Sequence, residues 1–338
     1  MICFLADTDT YTYTDTDIDT DTGTGPQLAP ASREEDAMHD LDINSTTEAV
    51  LAQLASTQDS RTREIMQAAV RHLHAFAAEV DLKPDEWLKG IAFMTAVGQA
   101  CTPYRQEFIL LSDVLGLSRL VNVMHDAQGR EAAGTETSLL GPFFREEAPE
   151  IELGGSVALV SEGPEIMIFG RVTDGAGQGI GGAEMDVWQT DAEGLYDLQA
   201  NDPSVMDMRA RLRCDAEGRF HFRTLKPIGY SIPMDGPVGA MVRQQDRHGF
   251  RPAHIHILVA AAGYRELITA LYFGDDPNIG SDTVFGVSNS LIIQEKLNLP
   301  GSPRPDMPSI RYDFALSRAT DVASGRVGSD PSRLMPAG

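Results

Sequence analysis

The hydrophobic pattern of the chain changes near Gly141-Pro142, and this change favours a helical part followed by a sheet part. From residue 43 to about residue 128, apolar side chains recur every three or four positions, as in amphipathic helices. One such stripe consists of Ile65, Ala69, Leu73, Phe76 and Val80. Pro84 is followed by two acidic residues and is typical of a helix start. We expect a further helix over residues 105–124, running through Gly116.

The sequence after residue 142 favours short strands. Segments rich in apolar, β-branched and aromatic residues are separated by turn clusters such as Gly181-Gly182 and Gly236-Pro237. The predicted strands cover residues 165–173, 183–190, 219–225, 254–260 and 267–273, and near the end of the chain only residues 309–316 are expected to be ordered. No helical pattern separates them, so an antiparallel β-sandwich is predicted. The predicted fold class is therefore α+β, with a helical N-terminal domain and a β-sandwich C-terminal domain.

The charge and cysteine content exclude several classes of partner. The 338 residues include 50 acidic and 27 basic side chains, for a net charge of −23. Nucleic acids and anionic membrane surfaces attract clustered Lys and Arg, so neither is expected as a partner. No apolar run approaches the roughly 18 residues of a membrane span. The three widely spaced cysteines fit neither a disulfide framework nor a cysteine-based zinc site, so a cytoplasmic location is expected.

Residues 1–37 differ in composition from the rest of the chain. The stretch from Asp7 to Thr24 is close to a Thr-Asp alternation, which has little apolar surface to bury. We therefore expect a disordered, low-complexity tail and a functional protein that begins near Met38. The further predicted divisions are a helical dimerisation domain with its linker over 38–135, a catalytic β-sandwich domain over 136–319 and a loose tail over 320–338.

The sequence His254-Ile255-His256 is the best local candidate for a chemical site. On a strand, alternate side chains share a face, so the two imidazoles would point to one side and Ile255 to the other. Two imidazoles on one face can bind a metal ion, or they can be a solvated pair on a half-exposed strand. No cysteine is near in the sequence. Further metal ligands would therefore have to be Asp, Glu or Tyr.

Two tyrosines upstream lie in turn-like contexts. Tyr196 ends a segment that follows a predicted strand, and Tyr230 follows Pro227-Ile228-Gly229. Taken alone, each is more typical of a residue at the edge of a core than of a ligand. The sequence shows no nucleophile elbow, phosphate-binding loop or dinucleotide-binding fingerprint.

Several longer motifs, taken together, resemble those of a known family. They are Ile168-Phe169-Gly170-Arg171-Val172, Met185-Asp186-Val187, Gly194-Leu195-Tyr196, Pro227-Ile228-Gly229-Tyr230 and Arg251-Pro252-Ala253-His254-Ile255-His256. Upstream, residues 106–113 and 140–144 add to the resemblance. In these motifs the chain is similar to the intradiol ring-cleaving dioxygenases, from about Met38 to Leu316.

The resemblance implies a non-haem Fe(III) ion, one per subunit, bound by two tyrosines and two histidines. Carried over to this sequence, the ligands are Tyr196, Tyr230, His254 and His256. Phenolates are hard anions that stabilise ferric over ferrous iron. The resemblance also implies that Tyr230 leaves the metal when substrate binds and accepts a substrate proton. Arg251 would stabilise negative charge on the substrate ring.

The resemblance implies cleavage by O2 of an aromatic ring with adjacent hydroxyls. The segments 231–239 and 282–287 are closest to the hydroxyquinol branch of the family, whose product is 3-hydroxy-cis,cis-muconate, the enol form of maleylacetate. The implied substrate pocket is lined by Leu110, Asp113, Leu139, Leu140, Gly141, Pro142 and Val284. Asp113 could hydrogen-bond a third ring hydroxyl, or it could be a helix-surface residue. One departure is Ala270, where the family usually has Gln.

Alternative functions are also compatible with the sequence. The alternative substrate is catechol or a chlorocatechol, giving cis,cis-muconates. A more distant alternative is a non-catalytic, transthyretin-like binding module built on the same sandwich. The family's helical part forms a homodimer, often around bound lipid, and the stripe through Ile65, Leu73 and Phe76 is compatible both with that and with an ordinary helical core.

Overall fold

The computed structural model describes residues 41–128, 134–199, 202 and 204–319. It divides the chain into two compact units, with the boundary between Met94 and Thr95. The expected tails, residues 1–37 and 320–338, lie outside the described residues. The domain boundary expected near residue 135 stays a prediction.

The helices confirm the 3.6-residue periodicity of the first part of the chain. Those in the described residues are α1 (Ile43–Leu54), α2 (Ser60–Glu79), α3 (Pro84–Gln99), α4 (Glu107–Val114), α5 (Leu117–Gln128) and α6 (Pro237–Gln244). Asp59 caps α2, since its carboxylate accepts a hydrogen bond from the Thr62 amide at 2.6 Å. Pro84 starts α3, with Asp85 and Glu86 in the first turn, as predicted.

The single helix predicted over residues 105–124 is wrong. The chain breaks there into α4 and α5, which are bent by 72°. Gly116 adopts a φ of +73°, and its amide donates to the Asp113 carbonyl at 2.9 Å. A glycine in the left-handed region is a common helix terminator, so α4 ends before Gly116 and does not continue into α5. In the described part of the chain no single helix is long and apolar enough to cross a membrane; the bent α4–α5 pair passes only on length and composition.

The strands follow the predicted order. They are β1 (Glu165–Asp174), β2 (Glu184–Trp188), β3 (Arg209–Arg213), β4 (Arg219–Leu225), β5 (Tyr230–Ser231), β6 (Phe250–Arg251), β7 (His254–Ala260), β8 (Leu267–Phe273), β9 (Ile292–Ile293), β10 (Ser309–Arg311) and β11 (Phe314–Leu316). The helix α6 was not predicted. Pro237 occupies its first turn, and Val238, Met241 and Val242 are buried at helical spacing.

Two main sheets share one apolar core. In the first, β1 pairs with β4 on one side and with β10 and β11 on the other. The second has the order β3-β2-β7-β8-β9, so β7 is its central strand. Both sheets contribute side chains to a single buried cluster, including Ile168, Phe222, Val187, Ile255 and Ile257. The predicted fold class is confirmed, but the sheets are mixed, because β1–β10, β1–β11 and β8–β9 are parallel pairs.

The opposite face of the second sheet carries the candidate site. His254 and His256 alternate with core residues on β7, and a second buried cluster on this side contains Phe143, Trp188, Tyr196, Tyr230 and Leu258. A short antiparallel pair, β5–β6, sets Tyr230 opposite Arg251. The sheet therefore separates an apolar core on one face from a polar, aromatic site on the other.

Candidate active site

The strand β7 places two histidines side by side. His254 and His256 are both 2% exposed, and Ile255 between them lies in the core. Their Nε2 atoms are 3.1 Å apart. Two imidazole nitrogens held about 2.1 Å from one metal ion at a right angle would be about 3.0 Å apart. The histidine pair therefore has the spacing of two ligands on one ion.

Neighbouring groups fix the protonation of both rings. His254 Nδ1 donates to the Pro252 carbonyl at 2.7 Å, which leaves a lone pair on Nε2. His256 stacks on Trp188, with ring centroids 4.9 Å apart and planes 3° apart. Burial lowers the pKa of both histidines well below the ordinary value, and the positive charge of Arg251 adds to the effect. Both rings are neutral, which is the form that binds metals.

Two tyrosines complete a cluster with this pair. Phe143 stacks on Tyr196 at 4.3 Å between ring centroids. The ring centroids of Tyr196 and Tyr230 are 5.5 Å apart, and those of Tyr230 and His254 are 5.6 Å apart. Gly194 has a φ of +81°, and a Cβ there would lie 3.3 Å from Tyr230 Cβ. The fold thus brings together all four ligand residues predicted from the sequence.

Buried polar atoms without partners indicate what this cluster can bind. Tyr196 Oη and His256 Nδ1 are buried, and neither atom has a hydrogen-bond partner among the described residues. Burial, followed by the neighbouring Tyr230, raises the pKa of Tyr196 well above its ordinary value. A buried phenol without a partner is costly, and a bound cation would favour its phenolate form. Two phenolate oxygens and two imidazole nitrogens are a donor set that suits a hard cation such as ferric iron.

The alternative donors are absent from the part of the chain that the structure describes. No group of three or more His, Cys, Asp or Glu side chains there could share a metal ion. The buried cluster on this side of the sheet contains Tyr196 and Tyr230, the two further ligands that the family resemblance implied.

Arg251 is a buried cation beside the cluster. The residue is 2% exposed, and its Nη1 lies 3.1 Å from His254 Nε2. Burial by itself would lower the pKa of Arg251. The negative charge of Asp282, together with the nearby Tyr230 and Tyr272, outweighs the effect of burial and keeps this pKa well above its ordinary value. A fixed positive charge therefore faces the site.

Four of the predicted pocket residues are almost fully buried. Leu110, Asp113, Leu139 and Val284 are at most 3% exposed. Burial raises the pKa of Asp113 to about 6, against the opposing effects of Ser118 and Arg251. Asp113 is therefore not a helix-surface residue, and it lies within electrostatic reach of Arg251.

The other three predicted pocket residues form one wall of a cavity. Leu140, Gly141 and Pro142 line a space of about 310 Å³, together with Ile109 and Phe144. Gly141 has a φ of +73°, and a Cβ at this position would lie 3.5 Å from the imidazole of His256. The backbone of Gly141 therefore borders the histidine pair directly, with no side chain between them.

Comparison with known proteins identifies the family. The family model described as "Dioxygenase" matches residues 141–318, and "Catechol dioxygenase N terminus" matches residues 59–133. The 6-chlorohydroxyquinol 1,2-dioxygenase of Cupriavidus pinatubonensis is 44% identical over 83% of this chain and 99% of its own length. The hydroxyquinol 1,2-dioxygenase of Rhodococcus opacus is 46% identical over 77% of this chain and 86% of its own length. The crystal structure of hydroxyquinol 1,2-dioxygenase from Pseudomonas putida DLL-E4 superposes with a TM-score of 0.74 at 39% identity, covering 82% and 99% of the two chains.

The chain belongs to the intradiol ring-cleaving dioxygenases. Members of this family generally depend on non-haem iron. The donor set found here fits that requirement, because it combines neutral imidazoles with buried phenols.

In this intradiol dioxygenase, Ala270 stands directly opposite His256 in the antiparallel β7–β8 pair. The register is therefore clear, and a Gln side chain is absent from this position. The polar group on the same face is two residues further along, at Tyr272. Its Oη lies 2.8 Å from Ser138 Oγ and 3.4 Å from Arg251 Nη2.

The polar residues that contact Arg251 were not predicted as site residues, although Asp282 begins the segment 282–287 that resembles the hydroxyquinol branch. Asp282, Tyr272 and Ser138 form a buried network around its guanidinium. Tyr272 could have been placed from the sequence, because alternate side chains of a strand share a face and Tyr272 is therefore on the same face of β8 as Ala270. Asp282 lies in a loop 31 residues from Arg251, and only the fold brings the two together.

Proposed function

We propose that this enzyme is a hydroxyquinol 1,2-dioxygenase, which cleaves benzene-1,2,4-triol between its adjacent hydroxylated carbons. Both atoms of O2 enter the product, 3-hydroxy-cis,cis-muconate, the enol form of maleylacetate. The observation that carries the proposal is identity of 44–46% to relatives named for hydroxyquinol substrates, over 86–99% of their lengths. The buried carboxyl of Asp113 supports it, because a polar group in an otherwise apolar wall suits a third ring hydroxyl.

One Fe(III) per subunit would be held by Tyr196, Tyr230, His254 and His256. An iron ion held by these residues would supply Lewis-acid chemistry to the adjacent hydroxyls of the substrate ring. The support is the spacing of the two imidazole Nε2 atoms and the unpartnered hydroxyl of Tyr196. Both features are explained if these groups are metal ligands.

The protein's own groups would handle protons and charge. Tyr230 Oη accepts a proton from a substrate hydroxyl as the substrate binds. The guanidinium of Arg251 stabilises negative charge on the ring, from a position where water is largely excluded. The backbone at Gly141 leaves room for a flat ring near His256. Leu110, Leu139, Leu140, Pro142 and Val284 would supply the apolar walls.

The proposal is tested by turnover of iron-loaded protein with hydroxyquinol and, separately, with catechol under ¹⁸O₂. We expect two labelled oxygens in the ring-opened product. We also expect kcat/KM for hydroxyquinol to exceed that for catechol by about 10-fold or more, since a buried site built for a hydroxyl discriminates against its absence. A preference for catechol would favour the alternative substrate. Loaded protein that cleaves neither ring would contradict the proposal and favour a binding module.

The partners and the location are also proposed from the family resemblance. We infer a homodimer formed through the helical part, with lipid bound between the helices. Apolar side chains such as Ile65, Leu73 and Trp87 are 42–51% exposed in the single chain, which is consistent with a covered face. A particle of twice the 36.7 kDa chain mass in solution would support the dimer. A cytoplasmic location agrees with Cys101 and Cys214 being free thiols.

A further inference from the structure

The buried carboxylate of Asp282 binds the guanidinium of Arg251. Asp282 Oδ1 accepts from Arg251 Nε at 3.1 Å, and Oδ2 lies 3.4 Å from Arg251 Nη2. Both side chains are 3% exposed. The contact is two-pronged, which sets the plane of the guanidinium as well as its position. The remaining nitrogen, Nη1, is left facing His254 Nε2 at 3.1 Å.

The same carboxylate also holds the turn that carries Val284. The amide of Val284 donates to Asp282 Oδ1 at 3.3 Å, and the amide of Gly286 donates to Oδ2 at 2.9 Å. Phe285 between them has a φ of +61°, a conformation that a bulky side chain adopts only when its surroundings impose it. The turn from 282 to 286 is therefore fixed by the carboxylate around which it folds.

The packing around the guanidinium is tight. A Cβ on Gly286 would lie 2.5 Å from Tyr272 Oη and 3.0 Å from Arg251 Nη2. Tyr272 Oη in turn contacts Ser138 Oγ, which donates to the Gly286 carbonyl at 3.1 Å. The guanidinium is therefore closely packed in the orientation that Asp282 holds, and the only carboxylate in contact with it among the described residues is Asp282.

We propose that Asp282 is a positioning residue that holds Arg251 in its active orientation and ties that orientation to the pocket wall at Val284. The proposal rests on the proposed function. A buried arginine without its carboxylate is an uncompensated charge that would turn toward another acceptor. One such group is Asp113, which interacts electrostatically with Arg251. Loss of Asp282 would thus misdirect Arg251 while leaving the candidate iron ligands in place.

The test compares Asp282→Asn, Arg251→Gln and the double variant with the wild type, each iron-loaded. Asp282→Asn should lower kcat by about 10- to 100-fold, as expected for a misplaced catalytic group. Its anaerobic affinity for hydroxyquinol and its iron content should stay close to those of the wild type. The double variant should be no slower than Arg251→Gln within about threefold, since the effect of Asp282 on kcat passes through Arg251. The carbonyl oxygen of the substituted side chain can still accept a hydrogen bond from a turn amide, at Val284 or at Gly286.

A control ion pair exists between β2 and β3 of the second sheet. Asp186 accepts a two-pronged contact from Arg211, at 2.7 and 3.0 Å, and is 3% exposed. Asp186→Asn breaks a comparable ion pair. It should lower the melting temperature without lowering kcat more than about twofold, because loss of this ion pair destabilises the fold and leaves Arg251 in place. The contrast separates positioning of Arg251 from simple loss of a buried ion pair.

The outcomes decide the proposal. Unchanged kcat in Asp282→Asn, or additive losses in the double variant, would overturn it. If Asp282→Asn does not fold, folding of the double variant would support the proposal, because neutralising Arg251 then relieves the defect; failure of both would overturn it. A wild-type enzyme that cleaves no ring would instead refute the proposed function, so the two failures are distinguishable.

Discussion

At the scale of single residues, the candidate site consists of buried polar groups that the fold brings together from distant parts of the sequence. Tyr196 Oη has no hydrogen-bond partner, and the two β7 histidines present neutral nitrogens to one another. Neither arrangement is favourable in an apolar interior without a cation. The tyrosines and histidines were predictable because they lie in long motifs. The contact between Asp282 and Arg251 was not predictable, because the motif at 282–287 does not show which distant residue its carboxylate meets.

Asp113 provides a test of substrate choice. Replacing it with Ala should lower kcat/KM for hydroxyquinol by about 10-fold or more, since an unpaired third hydroxyl would be buried, and should change the value for catechol little. The measurement is steady-state kinetics on both substrates. Equal losses on the two would mean that Asp113 does not recognise the third hydroxyl.

The raised pKa of Asp113 also makes a prediction about stability. Burial raises its pKa to about 6 from the ordinary 3.8, so the folded state holds the proton more tightly than the unfolded state does. The resulting cost to folding is absent below pH 3.8, grows as the pH rises to about 6 and stays constant above it. Asp113→Asn should remove up to about 3 kcal/mol of cost at pH 8 and little at pH 4.

The check is chemical unfolding of substrate-free, iron-loaded protein at several pH values. The free energy of unfolding of Asp113→Asn, taken relative to the wild type, should rise with pH between about 4 and 6. A difference that is flat or falls over this range would show that the Asp113 carboxyl is not held in its protonated form by burial.

At the scale of secondary structure elements, local patterns predicted strands whose two faces differ in polarity. The bounds of β4, β7 and β8 agree with the sequence prediction. The strand β3 was missed, because three of its five residues are Arg. Arg209 is buried by pairing with Asp197, and Arg211 pairs with Asp186. Ion pairs with distant carboxylates cannot be read from local hydrophobicity, and neither can the parallel pairing of β10 and β11 with β1.

The two faces of β7 should be separable by mutation. Ile255 is fully buried in the shared core, and Ile255→Ala should lower the free energy of unfolding by about 2–4 kcal/mol. Leu297→Ala, at a position 62% exposed, is the control and should change it by less than about 0.5 kcal/mol. The folded Ile255→Ala protein should still bind one iron. Loss of iron binding with unchanged stability would contradict this division of the strand.

At the scale of the whole molecule, the matched family regions begin at residue 59 and end at residue 318. The composition of residues 1–37 predicts that they contribute nothing to the core. A variant that starts at Met38 should therefore keep the kcat, the iron content and the melting temperature of the full chain. A drop of more than about 5 °C in melting temperature, which corresponds to ~1 kcal/mol or more in a chain of this size, would assign a structural role to the segment.

The central claim is that Tyr196, Tyr230, His254 and His256 hold ferric iron that binds the substrate directly. The most direct measurement is the visible absorption spectrum of the iron-loaded protein before and after anaerobic addition of hydroxyquinol. We predict a broad visible band from tyrosinate-to-Fe(III) charge transfer, which weakens in Tyr196→Phe and shifts to longer wavelength with substrate. Protein that stays colourless after loading with iron would contradict the claim.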